Sequence, residues 1–197
     1  DEKTFPLEIG QCHRCGLVQL MELIEPDKIV PAYDWISYNE PEGHLDQLVD
    51  YLTTLPGIHQ NSRFCGISYK ESSTLGRLEK RAFTNLLEMD PQEDFEITHK
   101  NAGLELIQDR LNPALARSLK GKYGSADVVL ARHILEHCHR PLEFIDALKE
   151  LLNPEGYLVF EVPDCEGFFT SFDYTTLWEE HVLYFTQLTF KALLISQ

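Results

Sequence analysis

The chain has 197 residues, a formal charge of −15, and 43% apolar and 11% aromatic side chains. That supply of apolar side chains suits one medium α/β domain with a small attachment and excludes a disordered chain. The acid excess excludes a nucleic-acid partner, because neutralising phosphates takes a basic surface; an anionic small molecule stays open, since a few local basic groups or helix N-termini hold one.

The chain starts at Asp1. No basic start with an apolar stretch marks a signal peptide, and no run reaches the roughly 18–20 apolar residues that cross a membrane. Five cysteines, an odd number with one close pair, do not make a secreted disulfide framework. The chain therefore reads as cytoplasmic, with no membrane partner.

The first stretch, PLEIGQCHRCGLVQL, predicts a knuckle turn leading into a short strand. Cys12 and Cys15 are two residues apart with Gly16 behind them, so both thiolates reach one tetrahedral metal. A redox pair needs a strand before and a helix after it; Gly-Leu-Val-Gln follows instead, so structural zinc is the better reading. Only half of the four ligands are local. Residues 25–43, with Pro26, Pro31, Pro41 and Gly43, read as a linker or wrapping segment, which makes 1–43 an attachment and 44–197 the core.

From His44, apolar residues at Leu45, Leu48, Val49, Leu52 and Leu55 share a helical face. Short apolar runs then alternate with helices. The pattern predicts strands at Arg63–Ser68 and Asn85–Met89, a helix over Leu75–Phe83, and a further short apolar run, read as a strand, at Leu104–Ile107. Asn112-Pro113 starts a helix that ends near Gly124. ADVVLA at 126–131 reads as a buried parallel strand. Pro141 opens a helix stopped by Asn153-Pro154. GYLVFEV at 156–162 is the last strong strand, and a final helix starts at Thr186. This alternation predicts an α/β fold with a mostly parallel sheet and helices on both faces. Such sheets bind ligands at the carboxyl ends of their strands, placing the chemistry just after residues 68, 89, 107, 131 and 162.

Three stretches resemble a bacterial C-methyltransferase family whose studied members act on deoxysugar nucleotides. PLEIGQCHRCGLVQL is similar to the second half of that family's N-terminal zinc-binding domain. ADVVLARHILEHCHRPLEFIDALKELLNPEGYLVFEVPD is similar to its fourth and fifth strands with the helix between. DYTTLWEEHVLYFT is similar to the segment carrying its acidic-His pair. The resemblance implies a Rossmann-like class I methyltransferase core, S-adenosylmethionine as cofactor, and a nucleotide-linked sugar as small-molecule substrate. It also implies an earlier cysteine pair, two more strands and a further C-terminal domain. The chain is thus expected to be an incomplete copy, or one completed by a partner, because the 156–162 strand would otherwise be a bare edge. Composition leaves the oligomeric state open.

The expected cofactor residues sit at the strand ends. Gly66 is the one glycine of a turn that is normally glycine-rich; Ser68 or Ser72, or backbone N–H groups, would share the work. Asp90, with Glu88 as alternate, would accept the ribose hydroxyls. Gln108 and Asp109 fall where the family holds adenine. Arg132 or His133 would hold substrate oxygens or a phosphate. His133 and His137 are four apart, which admits a metal site, but no third ligand is evident, so they read as pocket lining.

The sharpest signal is Trp178-Glu179-Glu180-His181. Methylating carbon beside a ketone requires removing a weakly acidic proton, and a neutral imidazole titrates near working pH. His181 is the expected base, and Glu180, by resemblance, its orienting carboxylate. Trp178 stands where relatives can have a tyrosine; Tyr174 or Tyr184 would replace that phenol. The expected reaction is C-methylation alpha to a ketone. Methylation of oxygen or nitrogen in another small molecule, or a non-catalytic binding module, are the alternatives.

Overall fold

The computed structural model describes residues 4–30, 41–99 and 103–196. Within the expected linker, residues 31–40 lie outside these. The elements in order are β1 (Ile9–Gln11), β2 (Val18–Leu20), α1 (Pro26–Ile29), α2 (His44–Leu52), β3 (Phe64–Gly66), α3 (Ser72–Glu79), β4 (Leu86–Glu88), α4 (Pro91–Phe95), α5 (Leu104–Arg110), α6 (Pro113–Tyr123), β5 (Ala126–Arg132), α7 (Pro141–Leu151), β6 (Leu152–Glu161), α8 (Glu166–Ser171), β7 (Leu183–Tyr184) and α9 (Gln187–Ile195). Among the described residues no helix is long and apolar enough to cross a membrane.

Four strands form a parallel sheet in the order β4-β3-β5-β6. β5 lies inside the sheet, and its stretch 128–131 is apolar because helices cover both of its faces. Its side chains alternate between two cores. Val128 and Leu130 join Phe64 against Val49 and Leu52 of α2 and Leu75 and Leu78 of α3. Val129 and Ala131 join Cys65 against Ala116 and Leu119 of α6 and Ile145 and Leu148 of α7. This period of two, fed into helices on either side, is what the strand pleat dictates.

Local chemistry sets the helix ends. The Asn112 side chain accepts from the N–H groups of Ala114 and Leu115 at 2.9 and 3.0 Å, Pro113 takes the first helical position, and Gly124 at φ +83° closes α6. α3 starts three residues earlier than the periodicity predicts, following a 3-10 turn at Tyr69–Glu71 that Ser68 and Glu71 close with a capping box.

Two expectations are corrected. Leu104–Ile107 opens helix α5, not a strand. A run of four apolar residues carries too little periodicity to tell the two apart; Leu104, Ile107 and Leu111 are buried at helical spacing. The last strand starts at Leu152, so α7 ends before Asn153-Pro154, and β6 has a register irregularity beside Ala126. Among the described residues β6 pairs on one side only, which tolerates Pro154.

A second sheet, antiparallel, has the order β1-β2-β7. Val18 pairs with Tyr184 and Gln19 with Leu183. The hairpin that carries Cys12 and Cys15 is thereby joined to the segment that carries His181.

Candidate active site

The order β4-β3-β5-β6 reverses between β3 and β5. Crossovers leave to opposite faces there and open a crevice beyond the strand ends. A cavity of about 410 Å³ lies at this point, within the range of small-molecule sites, about 300–1,000 Å³. Tyr69 and Lys70 reach it from the turn after β3, and Leu104 and Glu105 from the start of α5. His133, Glu136 and His137 come from the turn after β5, and Pro163, Cys165 and Phe168 from beyond β6. Thr176, Trp178, Glu180, His181 and Tyr184 form the remaining wall.

The wall is held from behind. His133 leaves β5 at φ +50°, a left-handed turn uncommon outside glycine. The N–H of Val182 donates to the Glu136 carbonyl at 2.8 Å, and that of His181 to the Trp178 carbonyl at 3.3 Å. His137 Nδ1 lies 2.9 Å from the Glu180 carbonyl and 3.2 Å from a Glu105 carboxylate oxygen. The His181 ring stands edge-to-face to His137 at 4.8 Å between centroids and 5.0 Å from Trp178.

Acidic side chains outnumber the one lysine, Lys70, in this wall. Burial pushes Glu105 and Glu136 up from the usual carboxylate range, and Glu180 up to about 7, with Glu105 and Glu179 adding repulsion. Burial also holds His137 down at about 3, reinforced by its His181 neighbour, so it is a neutral imidazole. Among the described residues Glu136 Oε2 has no hydrogen-bond partner.

Of the residues singled out from the sequence, His133, His137, Trp178, Glu180, His181 and Tyr184 come together in the cavity wall. The Tyr184 hydroxyl is engaged with the Trp178 backbone, 3.2 Å from its nitrogen and 3.3 Å from its carbonyl, and burial pushes it up to about 12. These contacts tie its hydroxyl to the turn before His181. Tyr174 is 79% exposed and outside the wall.

The expected cofactor residues form a second group, outside the wall. Gly66 has its open side filled by Glu71; an added Cβ would meet the Glu71 Cβ at 2.6 Å. The Glu71 carboxylate accepts from Ser68 N–H at 2.7 Å, Ser68 hydroxyl at 2.9 Å and Arg132 N–H at 2.6 Å. The Arg132 guanidinium is buried against Glu161 and the Lys70 carbonyl. Burial raises Glu161, but His133 and Arg132 outweigh it and hold the carboxylate at about 2. Asp90 caps α4, accepting from Gln92 and Glu93 N–H at 2.8 Å each, while Glu88 accepts from Ser72 at 2.6 Å. Gln108 lies inside α5, bonded to the Glu105 carbonyl and the His139 N–H. Asp109 faces Arg140 at 3.9 Å.

Lys70 and Glu105 were not found from the sequence. Lys70 lies four residues beyond Gly66, the end of the first parallel strand, which was a usable signal. Glu105 was hidden by the strand reading of 104–107. Cys12 and Cys15 are free thiols on the hairpin turn, and burial-independent hydrogen bonds from Cys15 and Arg14 lower Cys12. The one group of three potential metal ligands among the described residues is elsewhere, at Glu136, His137 and His181; the half-site gains no ligand from this fold.

A doubly wound α/β domain with a largely apolar cavity at its switch point, and an imidazole and carboxylates in the wall, has the shape of a small-molecule site. Residues 33–195 match the family model described as a methyltransferase domain, and the chain belongs to that family. It is 24% identical over 187 residues to the C-methyltransferase NovU of Streptomyces niveus, a match covering 94% of this chain and 44% of that protein. The chain thus spans less than half the length of this relative. The domain implies S-adenosylmethionine as methyl donor. The wall suits that donor on charge: the buried Glu136 and the partly buried Glu105 and Glu180 would face a sulfonium and an ammonium, and Glu136 Oε2 has no hydrogen-bond partner among the described residues.

Proposed function

We propose that this cavity transfers a methyl group to carbon alpha to a ketone in a nucleotide-linked sugar, with His181 as the general base. The observation that carries the reading is His181 in the wall of the switch-point cavity, edge-to-face with a histidine that burial keeps neutral.

S-adenosylmethionine, when bound, supplies a methyl electrophile on a sulfonium. Glu105, Glu136 and Glu180 would face its positive charge, and Tyr69 and Trp178 offer ring surfaces to it. His181 takes the alpha proton, and the electron pair moves toward the ketone oxygen. That oxygen then needs a donor or cation, and Lys70 is the cationic side chain of the wall. Tyr184 and the Val182–Glu136 link hold the imidazole in place. The proposed role of Glu180 is to stabilise the imidazolium through its carboxylate. The carbon substrate is supported by the C-methyltransferase relative. The cysteine hairpin, as a structural zinc half-site, would be completed by ligands outside the described residues.

Three measurements test this. Calorimetry with S-adenosylmethionine should show one site; no heat would leave the non-catalytic binding module as the better reading. With methyl-labelled donor and a panel of nucleoside diphosphate ketosugars, the new methyl should appear on carbon by NMR; a methyl on oxygen or nitrogen overturns the C-transfer. Alpha-proton exchange with deuterated water should depend on His181, and its survival in His181→Ala removes the base assignment.

A further inference from the structure

We infer that Glu136, His137 and His181 form a site for a divalent transition-metal ion of the zinc class, and that an ion held there silences His181 as a base. The second half rests on the function proposed above; the first does not.

Each of the three residues offers one ligand atom, and these atoms lie within 4.8 Å of one another. Tetrahedral zinc with bonds of about 2.0–2.2 Å needs ligand atoms about 3.3–3.6 Å apart, so the set must close by little more than ~1 Å. His181 is half-buried on the turn after Trp178, so it is the most exposed of the three. The other two are buried, and the Val182–Glu136 backbone hydrogen bond of 2.8 Å ties the two ligand-bearing segments together.

Two features point to an ion. His137 Nδ1 is occupied by the Glu180 carbonyl at 2.9 Å and the Glu105 carboxylate at 3.2 Å. With its proton there, the lone pair sits on Nε2. That is how metal-binding histidines are held, with the far ring nitrogen donating to a carbonyl or carboxylate. Independently, Glu136 is 2% exposed and its Oε2 has no hydrogen-bond partner among the described residues. Two imidazoles and one carboxylate favour zinc, cobalt or nickel over magnesium or calcium. All three residues line the cavity.

The consequence is competitive. A proton and a metal ion would use the same His181 lone pair, so an occupied site and an active base exclude each other.

The test uses the full chain after chelator treatment, carrying Cys12→Ser and Cys15→Ser so that the hairpin thiols cannot bind. Cobalt(II) titration should give visible d–d absorption at one ion per chain, displaced by zinc. His137→Ala and, separately, Glu136→Gln should each weaken binding at least ~10-fold with unchanged far-UV circular dichroism. The isosteric Glu136→Gln keeps the test decisive if His137→Ala fails to fold. Absence of cobalt bands, or equal affinity in the variants that fold, overturns the site. Alpha-proton exchange should fall in proportion to zinc occupancy; exchange unaffected at full occupancy overturns the silencing. Cobalt binding in a protein that shows no cofactor heat or exchange leaves the metal site standing and ends the methyl-transfer reading. Cofactor heat and exchange without cobalt binding do the reverse.

Discussion

Two buried carboxylates at the same end of the sheet live opposite lives. Glu71 is fully buried, and both of its oxygens accept hydrogen bonds, from Ser68 and from the β5 backbone at Arg132. Glu136 is 2% exposed, and its Oε2 has no partner among the described residues. The first carboxylate knots the tips of β3 and β5 together. The second faces a cavity beside two imidazoles. Desolvating a polar group is costly unless it is bonded, so the satisfied group marks structure and the unsatisfied one marks a place for a ligand. Ser68, Asp90 and Arg132, expected from the sequence to hold the cofactor, also make hydrogen bonds within the protein.

This contrast is easiest to break at its two poles. His181→Ala should lower turnover by about 10²–10⁴-fold, the usual scale of general-base loss, while urea unfolding shifts by less than about 1 kcal/mol. A stability loss with unchanged turnover per folded molecule would make it a structural residue. Glu71→Gln should show the reverse. Its amide N–H would face a buried N–H donor, costing about 1–3 kcal/mol in denaturant unfolding with little change in turnover per folded molecule. Gly66→Ala, with its Cβ driven onto Glu71, should cost a similar or smaller amount, about 1–3 kcal/mol; a neutral result would mean that Glu71 can move aside.

Acid sharpens the comparison further. His137 is held at about 3 against an ordinary value of 6.5. The unfolded chain therefore binds its proton first, and this contribution to stability is lost as pH falls from 6.5 towards 3. Glu71 is pushed up to about 7 from 4.5 by burial, against its hydrogen bonds, so its contribution is lost as pH rises from 4.5 through 7. The two slopes oppose between 4.5 and 6.5. Removing one in Glu71→Gln should make the urea midpoint fall more steeply with acidification across that window. A parallel profile in both proteins would contradict this assignment. The smallest effect belongs to the exposed Arg117–Glu150 pair at 2.9 Å; Arg117→Ala should change stability by under ~1 kcal/mol.

Much of the fold was legible because its signals are local. β5 announces itself by the apolar run VVLA, α6 by Asn112-Pro113 and Gly124, and α7 by Pro141 and its apolar stripe. What failed was also local. Leu104–Ile107 is too short to show its period, and that error displaced Gln108 and Asp109 from a strand end to a helix. In the site, His181 stood out by the chemistry of its imidazole, and Glu180 by resemblance to the C-methyltransferase family. Glu71 did not, because its partner at Arg132 is 61 residues away and the capping box alone looks like a helix start. The sequence also could not show that Asp90 is occupied by its own helix, since an acid at a strand end and an acid at a helix cap are spelled alike.

The short pairing of β2 with β7 has a mechanical consequence. β7 is two residues long and finds its only sheet neighbour, among the described residues, in β2. Leu20 N–H donates to the Val182 carbonyl at 2.9 Å, next in sequence to His181. The N-terminal hairpin is therefore a splint for the imidazole rather than an appendage. Whatever tightens or frays the Cys12–Cys15 turn, thiol oxidation or a protease nick among them, is transmitted through one strand to the floor on which that ring stands.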